Sequence, residues 1–295
     1  MPLIRPVIAS MNQRSNFGLK FTNTLIRPIT ASLILVCTYL AATEHAYAQQ
    51  ATKHPSSEQF ISPCVSYHTQ DKGRVHIVKV DLRCPDVQII STPKEQRNIT
   101  TSNFAYANKT TVAINGSFYD ENNYPLGLNV TDGRPWTKSQ DKKAYSFLAC
   151  TQRGACHIEP FNRTTVYQTQ WHTVVSGWQS LVNGQYQCAP GSPRICHSNA
   201  RNPHPRTAVG VSDNKHYLYM VVVEGRQENF KGYTLNQVAR VFKQLGVNQA
   251  INLDGGGSST LVLKNRRMNQ LPSQQLFFER NVANHLGVID HTAKP

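Results

Sequence analysis

The run Ile251-Asn252-Leu253-Asp254-Gly255-Gly256-Gly257-Ser258-Ser259-Thr260 carries the strongest chemical signal in this 295-residue chain. An apolar stretch stops at a carboxylate, glycines and hydroxyl residues follow, and Leu261-Val262-Leu263 resumes the apolar pattern. That order reads as strand, tight loop, strand. Consecutive glycines cost backbone entropy. The cost makes sense where a ligand approaches the main chain and bare N–H groups face an anion or a sugar. Asp254 then stands at the loop mouth as the leading acid, base or nucleophile, with Gly255, Gly256, Gly257, Ser258 and Ser259 shaping the loop. A glycine-rich hairpin that binds nothing would carry the same pattern.

A second carboxylate, Glu224, follows another apolar run and precedes Gly225-Arg226. Two carboxylates beside such a loop suit cleavage of a glycosidic bond. The plainer alternative pairs Glu224 with Arg226 to fix a turn. Arg206 follows Pro203-His204-Pro205, and its planar fork could grip a phosphate or carboxylate through parallel hydrogen bonds. Asn115 and Asn252 end apolar runs and could orient a sugar or the carboxylates. The stretch Asn115-Gly116-Ser117-Phe118-Tyr119-Asp120 offers an aromatic for stacking on a sugar face, and His204 could share the cleft with Arg206. Trp136, Trp171 and Trp178 are sugar platforms or, more commonly, core. The glycine loop lacks G-K-[ST] and does not match G-x-G-x-x-G, which argues against nucleotide binding. No G-x-S-x-G elbow supports a serine nucleophile. No C-x-x-C or H-x-x-x-H spacing is present, so neither a metal nor another cofactor is expected.

These residues need elements to bring them together. Thr207–Val211 and His216–Val223 flank Asp213-Asn214-Lys215, a hairpin signal. Thr234 caps a helix whose Leu235, Val238, Ala239, Phe242 and Leu245 share one face, and Gly246 ends it. Gln249–Leu253 is the next strand. Strand, helix, strand implies a crossover between parallel strands. Glu224 and Asp254 then leave the sheet at one edge, where open α/β sheets bind ligands. Elsewhere Val75–Leu82 alternates with period two, Asp86–Ser91 and Thr110–Ile114 read as strands, and Tyr145–Cys150 with Cys156–Phe161 reads as a hairpin. The expected fold is α/β (α+β). It is a single domain over residues 63–291, with a mixed, strand-rich sheet, a β-α-β crossover near residues 216–253 and flanking helices.

Residues 1–48 look like an export signal: Arg5, Arg14, Lys20 and Arg27 lead an apolar core that ends in Ala46-Tyr47-Ala48 before Gln49. Residues 49–62 read as a polar leader. The expected location is periplasmic or secreted, without stable membrane insertion once the signal is removed. Six cysteines follow the signal, an even count that fits disulfides. Proximity favours Cys64–Cys84, Cys150–Cys156 and Cys188–Cys196. The net charge of +14 suits acidic or phosphate-bearing polymers, but no arginine-rich helix marks a nucleic-acid reader.

Several motifs occur in a telling order: Asn115-Gly116-Ser117-Phe118, Ser176-Gly177 with Leu181-Val182-Asn183-Gly184, Arg206-Thr207-Ala208-Val209-Gly210, Glu224-Gly225-Arg226, the Asp254 loop, and Glu279-Arg280-Asn281-Val282-Ala283-Asn284. Together they resemble the phosphodiester glycosidase family over about residues 112 to 289. The resemblance implies release of a sugar from a sugar-1-phosphodiester by cutting the anomeric carbon–oxygen bond, with a phosphoglycan as substrate. The family pattern often has aspartate where this chain has Glu224. A metal-assisted phosphodiesterase and a non-catalytic glycan-binding module are the competing readings.

Overall fold

The computed structural model describes residues 58–136, 145–162, 167–275 and 277–292. The expected signal and most of the polar leader lie outside them. The strands fall into three sheets. The largest runs, edge to edge, β1 (Gln59–Ser62), β2 (Val65–Gln70), β3 (Val75–Asp81), β14 (Tyr217–Val223), β13 (Arg206–Val211), β15 (Gln249–Asn252), β11 (Gln179–Val182) and β12 (Gln185–Gln187). A second sheet orders β7 (Arg134–Pro135), β6 (Val130–Thr131), β10 (Trp171–Gly177), β8 (Tyr145–Thr151) and β9 (Cys156–Asn162). The third orders β17 (Arg266–Arg267), β16 (Leu261–Leu263), β5 (Val112–Asn115), β18 (His285–Asp290) and β4 (Val87–Ser91). Three α-helices complete the described residues: α1 (Thr101–Asn108), α2 (Arg194–Arg201) and α3 (Leu235–Gln244). The fold is therefore strand-rich α+β. The large sheet begins at Gln59, inside the stretch expected to be leader.

The crossover forms with one refinement. β14 and β15 both pair antiparallel with β13, which lies between them. They are thus parallel to each other but not hydrogen-bonded, and every pairing among the described strands is antiparallel. The large sheet is therefore antiparallel in every described ladder, where the crossover predicted a mixed one. α3 forms as its sequence dictates. Thr234 accepts from the Gln237 backbone N–H while the Gln237 side chain accepts from the Thr234 N–H, a capping box. Gly246 takes a left-handed φ of 73° just past the end.

The large sheet is buried on both faces, which explains the unbroken apolar run of β14. Leu218, Met220 and Val222 face the other two sheets, packing with Val209, Ile251, Ile114, Leu148, Leu261 and Leu286. Val221 and Val223 face the opposite way, onto Leu235, Val238 and Phe242 of α3. The three cysteine pairs expected from proximity are bonded as disulfides, which fits an oxidising compartment. No helix among the described residues is long and apolar enough to cross a membrane.

Candidate active site

The chain ends β15 at Asn252, and the glycine loop turns over the start of β13. Two bonds hold it there: Gly256 N–H donates to the Pro205 carbonyl (2.9 Å) and Leu253 N–H to the Thr207 carbonyl (2.9 Å). From the third sheet, Asp254 N–H donates to the Gly116 carbonyl (3.1 Å). Asn115, fully buried at the end of β5, ties all three strands. Its Nδ2 donates to the Asp254 carbonyl (2.7 Å), and its Oδ1 accepts from Thr207 Oγ1 (2.7 Å) and Thr260 N–H (3.2 Å). Asn115 therefore orients the segment bearing the carboxylate instead of lining the cavity.

The cavity holds about 260 Å³, with Asp254 in its wall beside Arg206, Arg226 and Arg280. Asn252, the three loop glycines, His204, Asn199, Gln179, Phe118 and Trp178 complete the lining. Burial pushes the Asp254 carboxyl up to about 6, against the opposing pull of the Gly255 N–H, Arg280 and Arg226. Gly255 N–H donates to Asp254 Oδ1 at 2.9 Å. The Ser258 hydroxyl stands close enough to pull the same way without meeting hydrogen-bond geometry. A carboxyl poised near neutrality in a cleft is a candidate for proton transfer or attack.

The loop glycines are needed for the arginines. Gly256 sits at φ 62°, and a Cβ there would lie 2.8 Å from Arg226 Nη2. A Cβ at Gly257 would lie 2.7 Å from Arg280 Nη2. Both guanidinium groups thus rest against bare backbone, and both side chains reach solvent at the cleft mouth. Arg206 differs from the expectation of a free fork. It is buried, its Nε donates to the Tyr233 carbonyl (3.0 Å), and its Nη2 donates to the carbonyls of Asn199 (2.5 Å) and Asn202 (2.7 Å). Only Nη1 makes no hydrogen bond among the described residues. Burial and Arg226 pull its pKa down to about 10, so it remains a cation at neutral pH. Burial, with Arg206 and Arg226, also lowers the pKa of His204.

Glu224 is the correction. It leaves the same sheet edge as Asp254, but its carboxylate turns away from the cavity. Its Oε1 takes part in a 3.0 Å bond with His76 Nε2 and accepts from Gln270 N–H (2.7 Å). Tyr67 Oη lies 2.8 Å from His76 Nδ1. Burial and the nearby Glu224 push the Tyr67 phenol up to about 12. The Glu224 carboxylate accepts from His76 Nε2–H, and Tyr67 Oη completes the chain at the other ring nitrogen. The earlier run of the chain explains the difference, because His76 on β3 meets Val222 in register and supplies a closer partner than the cleft.

Other placements follow. Ser258 and Ser259 are buried behind the loop, outside the lining, with hydroxyls lacking partners. Trp178 and Phe118 meet edge to face at 5.5 Å and form an aromatic wall, whereas Trp136 and Trp171 are core. Arg280, Asn199 and Gln179 escaped the residue-by-residue reading. Arg280 lay within a recognised motif, but no spacing revealed that it reaches Gly257. Among the described residues no cluster of three or more His, Cys, Asp or Glu side chains is placed to hold a metal.

Comparison with known proteins agrees with this geometry. Residues 108–289 match the family model described as phosphodiester glycosidase. A Bacillus subtilis (strain 168) relative, the SPbeta prophage-derived uncharacterized protein YomE, is 26% identical over 182 residues, spanning 58% of this chain and 27% of its own length. Among solved structures, the catalytic domain of zebrafish N-acetylglucosamine-1-phosphodiester alpha-N-acetylglucosaminidase, auto-inhibited by its pro-peptide, is similar at TM-score 0.62 and 23% identity. That match covers 80% of this chain and 87% of the zebrafish chain. A hypothetical protein from Synechocystis follows at TM-score 0.56 and 15% identity, covering 81% and 64% respectively. With its Asp254 loop, Arg206 strand and Arg280 segment all inside the matched region, the chain belongs to the phosphodiester glycosidase family.

Proposed function

We propose that this protein is an exported hydrolase that cleaves the glycosidic carbon–oxygen bond of a sugar-1-phosphodiester, releasing the sugar and leaving a phosphomonoester. The carrying observation is one carboxyl held near pKa 6 in a cleft walled by three guanidinium groups. Arg226 and Arg280 suit the phosphate, with Arg206 Nη1 behind them. Phe118 and Trp178 suit the apolar face of the sugar. A phosphate leaves as a stabilised anion and needs no proton from an acid. The arginines take the role that a general acid plays at an ordinary glycosidic oxygen. One carboxylate is then sufficient: Asp254 acts as base toward water, or as nucleophile, at the anomeric carbon. The export signal, the disulfides and the basic charge support an envelope or secreted phosphoglycan as substrate.

Two measurements test this reading. Hydrolysis of a model sugar-1-phosphodiester in oxygen-18 water is expected to leave the phosphomonoester unlabelled. Label in the phosphate would mean phosphorus–oxygen cleavage and overturn the assignment. For the same substrate, kcat/KM should rise with pH through about 6 and then level, because Asp254 works as the carboxylate. Below that value the rate should fall about tenfold per pH unit. A rate that instead falls above pH 6 would make Asp254 an acid.

A further inference from the structure

Five large apolar side chains stand exposed among the described residues: Phe60, Tyr106, Ile195, Phe277 and Phe278. Three of them, Phe277, Phe278 and Ile195, belong to segments that bear on the cleft, and Tyr106 stands on the helix that one of those segments joins. Phe277 (86% exposed) and Phe278 (79%) lie between Gln275 and Arg280. Both of these flanking residues bear on Gly257: Gln275 Nε2 donates to its carbonyl (3.4 Å), and Arg280 packs over its Cα. Glu279 then accepts from Ser102 N–H and Oγ at the start of α1. Tyr106 (74% exposed) sits one turn along the same helix face, and helical side chains lean back toward the N-terminus, here toward Ser102. Across the cavity, Ile195 (52% exposed) precedes Asn199 of the lining by one turn of α2. Phe60 stands apart on the edge strand β1.

Cations accompany these side chains. Arg226 and Arg280 are exposed at the cleft mouth, and Arg194 and Arg201 are exposed on α2. Three exposed acids stand on these segments, Glu228 beside Arg226 and Asp120 with Glu121 after Phe118, fewer than the four arginines, while Glu279 is occupied by Ser102. Aromatic side chains among arginines around one opening match the anionic interface of a bilayer, where rings insert and cations meet headgroups. The cavity, at about 260 Å³, is smaller than the roughly 300–1,000 Å³ that enclose a drug-sized ligand.

We propose that this rim docks on an anionic lipid bilayer and presents the cleft to a membrane-anchored glycosyl phosphate. The docking stands on the surface alone; the glycosyl phosphate rests on the proposed function. Phe278→Trp in the full chain places a reporter at the rim, read as the difference from the parent protein, whose Trp136 and Trp171 are buried and whose half-buried Trp178 in the cleft wall is common to both. Phosphatidylglycerol vesicles with brominated acyl chains should quench the added tryptophan, and salt should relieve the quenching. Phosphatidylcholine vesicles should quench it little. No quenching by the anionic vesicles overturns the proposal. A tryptophan that becomes shielded with rising protein concentration and no lipid overturns it in favour of self-association. Replacing both residues, Phe277→Ser with Phe278→Ser, should lower vesicle affinity about 30-fold. Hydrolysis of a soluble ester should be unchanged, while that of a lipid-anchored one falls. Equal loss on both substrates would place the pair in the cleft's own function and overturn docking. Vesicle-dependent quenching without any glycosyl phosphate hydrolysis supports docking and overturns only the catalytic reading.

Discussion

Asp254→Asn should lose turnover on the order of a thousandfold, the size expected when a positioned acid–base group is removed, and should gain stability at neutral pH. Both effects come from one fact: burial in the folded protein holds this carboxyl near pKa 6, above the ordinary aspartate value of 3.8. Above pH 6 the native state carries a charge that burial disfavours, whereas the unfolded chain carries the same charge in water. Two units of upward shift correspond to nearly 3 kcal/mol. Allowing for the solvent that reaches the cleft wall, about 2 kcal/mol is the expected gain on neutralisation. The sign fixes the pH window. The penalty is full above the folded pKa, shrinks as pH falls from 6 toward 4, and is absent once both states are protonated. Urea unfolding of wild type and Asp254→Asn at pH 7.5 and 3.5 measures it: a gain at the first pH and none at the second. A variant that is inactive and also destabilised at pH 7.5 would mean that Asp254 holds the loop together and that its loss of activity is indirect.

Glu224 should behave in the opposite way. Glu224→Ala removes a buried carboxylate from between His76 Nε2 and Gln270 N–H and leaves both donors without an acceptor. The expected cost is about 3 kcal/mol, read as a lowered urea midpoint. Glu224→Gln keeps an amide oxygen for one of those donors and keeps the volume. It should retain turnover within about tenfold of wild type, because the side chain touches no part of the cavity. Loss of turnover in Glu224→Gln as deep as in Asp254→Asn, with the fold intact, would return Glu224 to the chemistry.

The local parts of this molecule were legible because their signals are local. Thr234 with Gln237 announces a helix start, Asp213-Asn214-Lys215 announces a hairpin, and the short cysteine spacings match the bonded pairs. The shared edge for Glu224 and Asp254 also followed from the parallel direction of the two strands that the crossover joins. What sequence does not encode locally is where a side chain points after it leaves the edge. Glu224 turned toward His76, which is 148 residues earlier. Arg206 found three backbone carbonyls from the turns around it. Arg280 reached the glycine loop from a segment with no periodic pattern. The partition into three sheets was hidden for a similar reason, since period-two alternation identifies a strand but not its neighbour.

The place of β18 between β4 and β5 has a consequence for how the protein comes into being. Gly116 N–H donates to the Asn284 carbonyl (2.9 Å), Ser117 N–H donates to its Oδ1 (2.8 Å), and β18 slots in between β4 and β5. Residues around position 115 therefore wait for partners made some 170 residues later. On a ribosome, or through a pore traversed N-terminus first, β5 has emerged long before the strand that will lie beside it. The Asp254 loop is also made before Arg280 can cap it. The cleft gains its Arg280 wall, and β5 its neighbour, only when residues 280–290 join the fold, so a chain that has emerged only as far as the Asp254 loop carries an incomplete cleft.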